Sequence, residues 1–451
     1  MERVDVAVVG GGPAGTSAAW KAAEFGANAV VVEKGVPRED RDGMGPDSTD
    51  AAGLLDYWLD LMAFGPEELP EEVVLRDLDG ADFVGPSESF EIDTTGIDAS
   101  YPSFGLAFHR AKFDDWLREE AEAAGATYRI GNSVTDVDST VGGGHEHTLT
   151  LSNGEELTAE YLVLADGPQR TVTTDALDQF TTDRQIAQIL NPSKVNHIAY
   201  QEHRRVPEEL YEPTRLKFWW GLMPGHTAYP WVFPNDENIA RIGLTMPIGL
   251  DIDDYNPDLW ELLRADDERI PQGKTYIERL LEREYPDYEM ADFPLVEDRG
   301  KRGGTETYAI SSTRPIESPT AAGIAVVGGA MGGTSAFHEG GDHVAVRTGK
   351  IAGRLAAQGR LERYNTEWRQ VLATEFLRNV AMAELVRNYR PSDWDRVFGA
   401  AKTMFNDGNY SVGSVFRAGL TGLQMLYGYK RTRNRFKNGG YIQFRESEYC
   451  I

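Results

Sequence analysis

Residues Val4–Gly15 read VDVAVVGGGPAG, and the helical pattern TSAAWKAAEFG follows at once. A short valine-rich run empties into a glycine turn, and the turn opens directly into a helix. Gly10, Gly12 and Gly15 fit G-x-G-x-x-G, with Pro13 and Ala14 between the last two. Each glycine has its own reason: Gly10 allows the tight turn, Gly12 lets backbone approach a pyrophosphate, and Gly15 lets helix and strand pack closely. The free N–H groups and positive dipole end of the helix then face the phosphates. A second apolar run, Ala29–Val32, ends in Glu33 and Lys34. That places a carboxylate about 20 residues beyond the loop, where it can take both ribose hydroxyls. Strand, loop, helix, strand and acid in this order predict a dinucleotide-binding unit. Glu33 favours an unphosphorylated ribose, so FAD or NAD rather than NADP.

Three later stretches bear on the choice. In FHRAKFDDWLREEAEAAGA, Arg110 opens an amphipathic helix whose Phe113, Trp116 and Leu117 share one face. The rings read as core, while the long fork of Arg110 suits a phosphate clamp. In EELTAEYLVLADGPQRTV a strand closes in Asp166-Gly167, with Arg170 following; alone, this is ordinary turn chemistry. In GIAVVGGAMGGTSAFHEGGD, residues 323–342, another apolar run enters a turn holding Gly328, Gly329, Gly332 and Gly333.

The chain has 451 residues, 41% of them hydrophobic, enough for two or three domains and a substantial core. Its 72 acidic and 45 basic residues give a formal net charge of −27, spread along the chain. That excludes nucleic acid as an expected partner and matches proteins adapted to salt-rich cytoplasm, where ions screen self-repulsion. Cys450 is the one cysteine, so no internal disulfide or cysteine-ligated cluster is possible, and no metal site is expected. The N-terminus lacks an export signal, and no run of about 18 apolar residues occurs. The expected location is cytoplasmic, at most membrane-associated.

Taken together, these segments resemble the flavoproteins of the para-hydroxybenzoate hydroxylase fold, and within them the geranylgeranyl reductase group. The matching features are the N-terminal glycine motif with Glu33, the stretch RAKFDDWL after His109, Asp166-Gly167, and the late GGAMGG. AYPWVFPNDENIARIGL is similar to the Y-x-W-x-F-P signature of that group, at Tyr229, Trp231, Phe233 and Pro234. The resemblance runs from residue 1 to about Leu355. It implies an α/β fold: a Rossmann-type FAD-binding domain from residues 1–175 and 305–360, an inserted β-rich substrate domain at 176–304, and a helical C-terminal region at 361–451. It also implies FAD as cofactor, with Gly10, Gly12, Pro13, Ala14, Gly15, Glu33, Lys34, Arg110, Asp166, Gly167, Gly328, Gly329, Gly332 and Gly333 around it. The implied activity is reduction of isolated C=C bonds in prenyl chains of lipids or quinones, with electrons from ferredoxin or NAD(P)H. An electron-transfer flavoprotein acting on quinone and a flavin monooxygenase are the alternatives.

The rings of Tyr229, Trp231 and Phe233 fall on one face of a strand, where they either pack as core or line a pocket for a long apolar chain. The chain departs from the family pattern in three places. Gly329 stands where an Asp is usual; Glu339 replaces a glycine after His338; and GVPREDRDGMGPDST lacks the usual Cys. Beside a flavin, His338 or Glu339 would be the proton donor; otherwise His338 is loop and Glu339 flanks the helix start. Near the C-terminus, apolar positions Val412, Val415, Phe416, Leu420, Leu423, Met425 and Leu426 precede Lys430, Arg431, Arg433, Arg435 and Lys437. This segment either contacts an anionic membrane peripherally or pairs with the protein's own acidic surface.

Overall fold

The computed structural model describes residues 2–36, 53–182, 185–300, 302–405 and 419–451. The N-terminal motif sits in a seven-stranded sheet built around Glu2–Val9, which pairs in parallel with Ala29–Glu33 on one side and Glu156–Leu164 on the other. Ile324–Val326 adds in parallel to Glu156–Leu164, and Thr127–Ile130 to Ala29–Glu33. Val6 to Val9 and Ala29 to Val32 are buried throughout, as strands covered on both faces require. The antiparallel pair Val134–Val141 and His145–Leu151 completes the sheet.

Register decides where function can sit. Val9 lies opposite both Val32 and Leu164, and Leu164 lies opposite Val326. Four parallel strands therefore end at one level, and the residues after them, Gly10, Glu33, Ala165-Asp166 and Val327-Gly328, gather along one edge. In open parallel sheets this carboxyl edge is where ligands bind.

The helices that back this edge depend on small residues. Pro13–Glu24, with Pro13 in its first turn, buries Ala14, Gly15, Ala18, Ala19 and Ala22. Asp342–Ala357 lies against it so closely that a Cβ at Gly349 would stand 2.1 Å from the Ala14 carbonyl oxygen, and one at Gly353 would stand 1.9 Å from that of Ala18. Arg110–Ala123 packs on the other flank of the first helix, with Trp116 edge-on to Trp20.

A second seven-stranded sheet orders its strands Thr305–Ile310, His197–Arg205, Ile239–Pro247, Tyr229–Pro234, Arg215–Trp219, Gly80–Val84, Ser89–Ile92. On one face Ala240, Ile242 and Leu244 pack under the helix Gly273–Glu284; on the other lie Tyr229, Trp231 and Phe233. Two segments differ from the sequence-based division of the chain. Residues 80–92, read with the FAD domain, join this second sheet through parallel pairing of Gly80–Val84 with Arg215–Trp219. Thr305–Ile310, read as the return to the FAD domain, pairs with His197–Arg205 instead. Gly80–Val84 and Thr305–Ile310 each join this sheet through a partner remote in sequence, so no local pattern announces them.

Beyond residue 361 the described residues form the helices Tyr364–Val386, Pro391–Phe405 and Gly419–Phe436. The tail then returns to the first core through Tyr441, Ile442, Phe444 and Tyr449. Among the described residues no helix is long and apolar enough to cross a membrane. Val412, Val415 and Phe416, the side chains of Leu420 and Leu423, and most of the GVPREDRDGMGPDST stretch lie outside what is described.

The contact between the first and late helices makes a direct prediction. Gly353→Val should push the two helices apart, costing at least about 2 kcal/mol and lowering the thermal midpoint, while Arg360→Ala on the exposed turn beyond the helix should leave it unchanged.

Candidate functional site

The glycine motif performs the geometry expected of it. Gly10 has φ +101°, and a Cβ there would meet the Ala165 carbonyl oxygen at 2.4 Å. At Gly15 a Cβ would strike the Gly10 oxygen at 1.9 Å. Gly12 caps the first helix, and a Cβ on it would project into open space, which is the room a phosphate needs above a helix N-terminus. Glu33 folds back across the turn and accepts from the Gly11 and Gly35 amides, both at 2.6 Å. This holds its carboxylate beside the glycine turn at the end of its strand. Lys34 is exposed next to it. The donor set and the cradle at Gly12 fit a dinucleotide.

Asp166 and Arg110 are engaged with protein partners. The Asp166 carboxylate accepts from the Val172 and Thr173 amides at 2.7 and 3.0 Å and so caps the helix Thr171–Asp178; burial pushes its pKa up. Gly167, at φ +72°, leaves open space beside it. Arg110 is nearly sealed from solvent and reaches Asp114 at 3.0 Å and Asp342, the first residue of the late helix, at 3.3 Å. It thereby ties together two helix starts at the same edge. Gly328 approaches the first helix so closely that a Cβ would lie 2.7 Å from that of Ala14. Gly332 and Gly333 close the turn, their amides donating to the Gly329 and Gly328 carbonyls at 3.1 and 2.9 Å.

Beyond that turn the two unusual residues separate. His338 is partly open, its side chain 26% exposed. The Gly340 amide donates to its Nδ1 at 3.2 Å, which leaves the proton on Nε2. Nε2 looks toward Glu375 Oε1 at 3.8 Å. Glu339 is sealed at 3% exposure and holds φ +59°, a left-handed conformation uncommon outside glycine. Its carboxyl meets the hydroxyls of Thr245 and Thr227 and lies 3.3 Å from His197 Nε2. Burial pushes Glu339 up to about 8, against the opposing pull of the two threonines and His338. Burial also holds His197 below the usual imidazole range. Glu339 therefore keeps its proton at neutral pH and clasps the late loop to the second sheet. Thr227, its partner across the clasp, is itself at φ +56°.

Tyr229, Trp231 and Phe233 are buried in one aromatic layer. Tyr229 stacks on Trp220 at 4.3 Å, and Trp220 stacks on Phe337 of the late loop at 5.2 Å. Trp231 lies flat on Gly243, where a Cβ would meet its ring at 2.6 Å, and Phe233 lies against Gly53 in the same way. The Tyr229 hydroxyl donates to the His338 carbonyl at 2.6 Å. The layer is thus directly joined to the loop bearing His338 and Glu339.

The sequence reading missed a second shell of groups around His338. Trp58 stacks on His343 at 4.1 Å and lies against His338 at 5.3 Å, and the two imidazoles are themselves 6.3 Å apart, ring centroid to ring centroid. Both imidazoles face the Glu375 carboxylate, which also binds Arg378 and accepts from Asn379 at 2.9 Å. Although burial alone would raise Glu375, its imidazole and guanidinium neighbours hold it far below the usual carboxylate range. Burial keeps His343 neutral, so Arg378 carries the compensating charge. Polar Asn365, Glu375 and Asn379 at buried positions of the long helix Tyr364–Val386 were the available signal.

Residues 5–190 match the family described as FAD binding domain. A digeranylgeranylglycerophospholipid reductase of Methanopyrus kandleri is 25% identical over 391 residues, covering 82% of this chain and 84% of the relative. The chain is similar to geranylgeranyl reductase flavoproteins. Another such reductase, from Methanosphaera stadtmanae, is 26% identical over 245 residues, 54% of this chain and 55% of its own length. Among solved structures, a geranylgeranyl bacteriochlorophyll reductase-like protein from Thermoplasma acidophilum aligns over 97% of this flavoprotein and 99% of its own chain, with a TM-score of 0.69 at 20% identity. That likeness establishes the fold, and the family match establishes FAD as the dinucleotide.

The sealed carboxyl of Glu339 predicts a pH signature. The folded chain holds its proton up to about pH 8, whereas the ordinary value is 4.5. Its stabilising contribution is therefore full below about 4.5 and lost as pH rises through about 8. Glu339→Gln keeps the hydrogen-bonding shape without titrating. The melting temperature of the variant should gain on the parent between pH 5 and 8; a constant difference across that range would refute the assignment.

Proposed function

We propose that this flavoprotein reduces isolated C=C bonds of geranylgeranyl chains carried by lipids or quinones. The observation that carries the reading is the junction of two features: a dinucleotide cradle at the carboxyl edge of the first sheet, and an aromatic layer on the second sheet bonded to the loop that leaves that edge. FAD would be held by the glycine turn and helix start at Gly10–Gly15, by Glu33, and by the late turn at Gly328–Gly333. When bound, it supplies a two-electron reductant able to deliver hydride. The chain's own residues supply the rest. Tyr229, Trp231 and Phe233, themselves buried, form an apolar wall behind the late loop beside which a prenyl chain would lie, and packing of that loop against them excludes water.

Saturating a C=C bond takes a proton as well as a hydride, and two groups stand where one could be supplied. His338 is the partly open one, with Nε2 protonated and oriented by the Glu375 carboxylate. Glu339 sits behind it and holds a proton at neutral pH. We assign donation to His338 acting as a relay, Nδ1 taking up a proton from solvent as Nε2 gives one to the substrate carbon so that the ring ends neutral, and the clasp, with a reserve proton, to Glu339. Ferredoxin or NAD(P)H is the proposed source of electrons.

The C-terminal helix supports peripheral contact with a membrane. Tyr427 is 69% exposed and Leu426 36%, just ahead of the basic cluster at Lys430–Lys437. Arg435 of that cluster is paired with Glu384 at 2.6 Å, leaving the contact to the neighbouring cations.

The test is anaerobic. Protein purified in molar KCl should carry oxidised flavin absorption; after chemical reduction, a geranylgeranylated glycerolipid should reoxidise it without oxygen. Reoxidation by quinone or oxygen alone would assign the chain to electron transfer or oxygenation instead. His338→Ala should slow lipid-driven reoxidation by about 100-fold or more while the flavin spectrum stays intact, and Glu339→Gln should slow it less.

A further inference from the structure

Arg170 follows the Asp166-Gly167 turn. It is 1% exposed and sits at φ 50°, ψ 32°, a left-handed conformation that a long side chain adopts only when its surroundings impose it. Its guanidinium is spent on main-chain carbonyls from two further segments. Nε donates to Ala330 at 2.8 Å and Nη2 to Gly329 at 3.4 Å. Nη1 donates to Pro192 and Ser193 at 3.2 and 3.1 Å. Three stretches far apart in sequence are pinned by this one side chain: the mid-chain turn, the late glycine turn, and the segment that leads into the second sheet.

Two consequences follow from the geometry. In a trans peptide the C=O and the next N–H point in opposite directions. With the Gly329 and Ala330 carbonyls turned toward Arg170, the Ala330 and Met331 amides face the other way, as paired donors of the kind that accept negative groups. The second consequence is electrostatic. Arg170 makes no ion pair among the described residues, and Asp166, the charged group that acts on it, is committed to capping a helix. A nearly uncompensated cation therefore lies directly behind Gly329, the position at which the family pattern carries an acid.

We infer that Arg170 is a positioning residue for the flavin, holding the late glycine turn in its receptive shape and giving that turn a positive field in place of an acidic one. This rests on the FAD reading. Reduced flavin carries more negative charge than oxidised flavin, so a cation behind the turn favours the reduced form.

Arg170→Lys and Arg170→Met separate shape from charge. A lysine keeps the charge but cannot span four carbonyls with a planar fork. Purified holoprotein of each variant is compared with the parent by FAD titration of the flavin-stripped chain and by spectroelectrochemical reduction. Arg170→Lys should bind FAD at least about 10-fold more weakly with little change in midpoint potential. Arg170→Met should lose affinity and also shift the potential to more negative values. Melting of the flavin-stripped variants shows whether instability alone accounts for the loss, because a purely structural role would leave the potential of bound flavin where it was. Parental affinity and potential in Arg170→Met would overturn the inference. If that variant does not fold, parental affinity in Arg170→Lys overturns it. Failure of the parent itself to bind FAD would count against the cofactor reading instead.

Discussion

The register of four parallel strands is the constraint on which everything else depends. Because Val9, Val32, Leu164 and Val326 end at one level, four loops, the outermost more than 300 residues apart, meet along one edge. A slip of one residue would turn buried valines of Glu2–Val9 or Ala29–Glu33 toward the opposite layer and carry Gly10 or Glu33 out of line. Since both faces are covered, burial of those side chains enforces the pairing, and the site inherits its precision from the core.

The glycines around that edge do different jobs, and the structure sorts them by what a side chain would meet. At Gly15, Gly349 and Gly353 backbone lies within 2.1 Å of where a Cβ would stand, so these residues let two helices and a strand approach. At Gly12 and Gly167 nothing stands within 4 Å, so these residues leave room. Packing glycines surround vacant ones, and the cradle is the place where close packing stops. The second sheet reaches this cradle through polar bonds: the Tyr229 hydroxyl to the His338 carbonyl, and the Glu339 carboxyl to Thr227 and Thr245. Polar contacts at such a junction fix geometry more sharply than apolar ones, because each unmade bond would leave a buried polar group unsatisfied.

Much of this was legible in the sequence wherever the physics is local. The glycine turn announces itself because tight turning, backbone approach and helix capping are properties of a dozen consecutive residues. The aromatic face of Tyr229, Trp231 and Phe233 follows from the two-residue period of a strand. What the sequence does not display is the environment created by distant partners. Glu339 could be singled out as a departure from pattern, yet its raised proton affinity comes from burial, which outweighs the opposing pull of Thr227 and Thr245, 112 and 94 residues away. Glu375, in the helical C-terminal region, acquires meaning only because His338, His343 and Trp58 fold against it. Gly80–Val84 belongs to the second sheet through a parallel pairing more than 130 positions distant, and nothing in those five residues distinguishes the two sheets.

A chain with a net charge of −27 has every statistical opportunity to place acids near its site, yet the acids it places there are neutralised or committed. Asp342 and Asp114 bind Arg110, Asp166 caps a helix, and Glu339 keeps its proton. The acid usual at position 329 is missing, with a buried guanidinium behind it. An electron-rich, phosphate-bearing cofactor would be repelled by the protein's average surface and requires a local exception to it. That exception is built from hydrogen-bonded commitments of individual carboxyls, so an acidic exterior and a receptive site coexist in one chain.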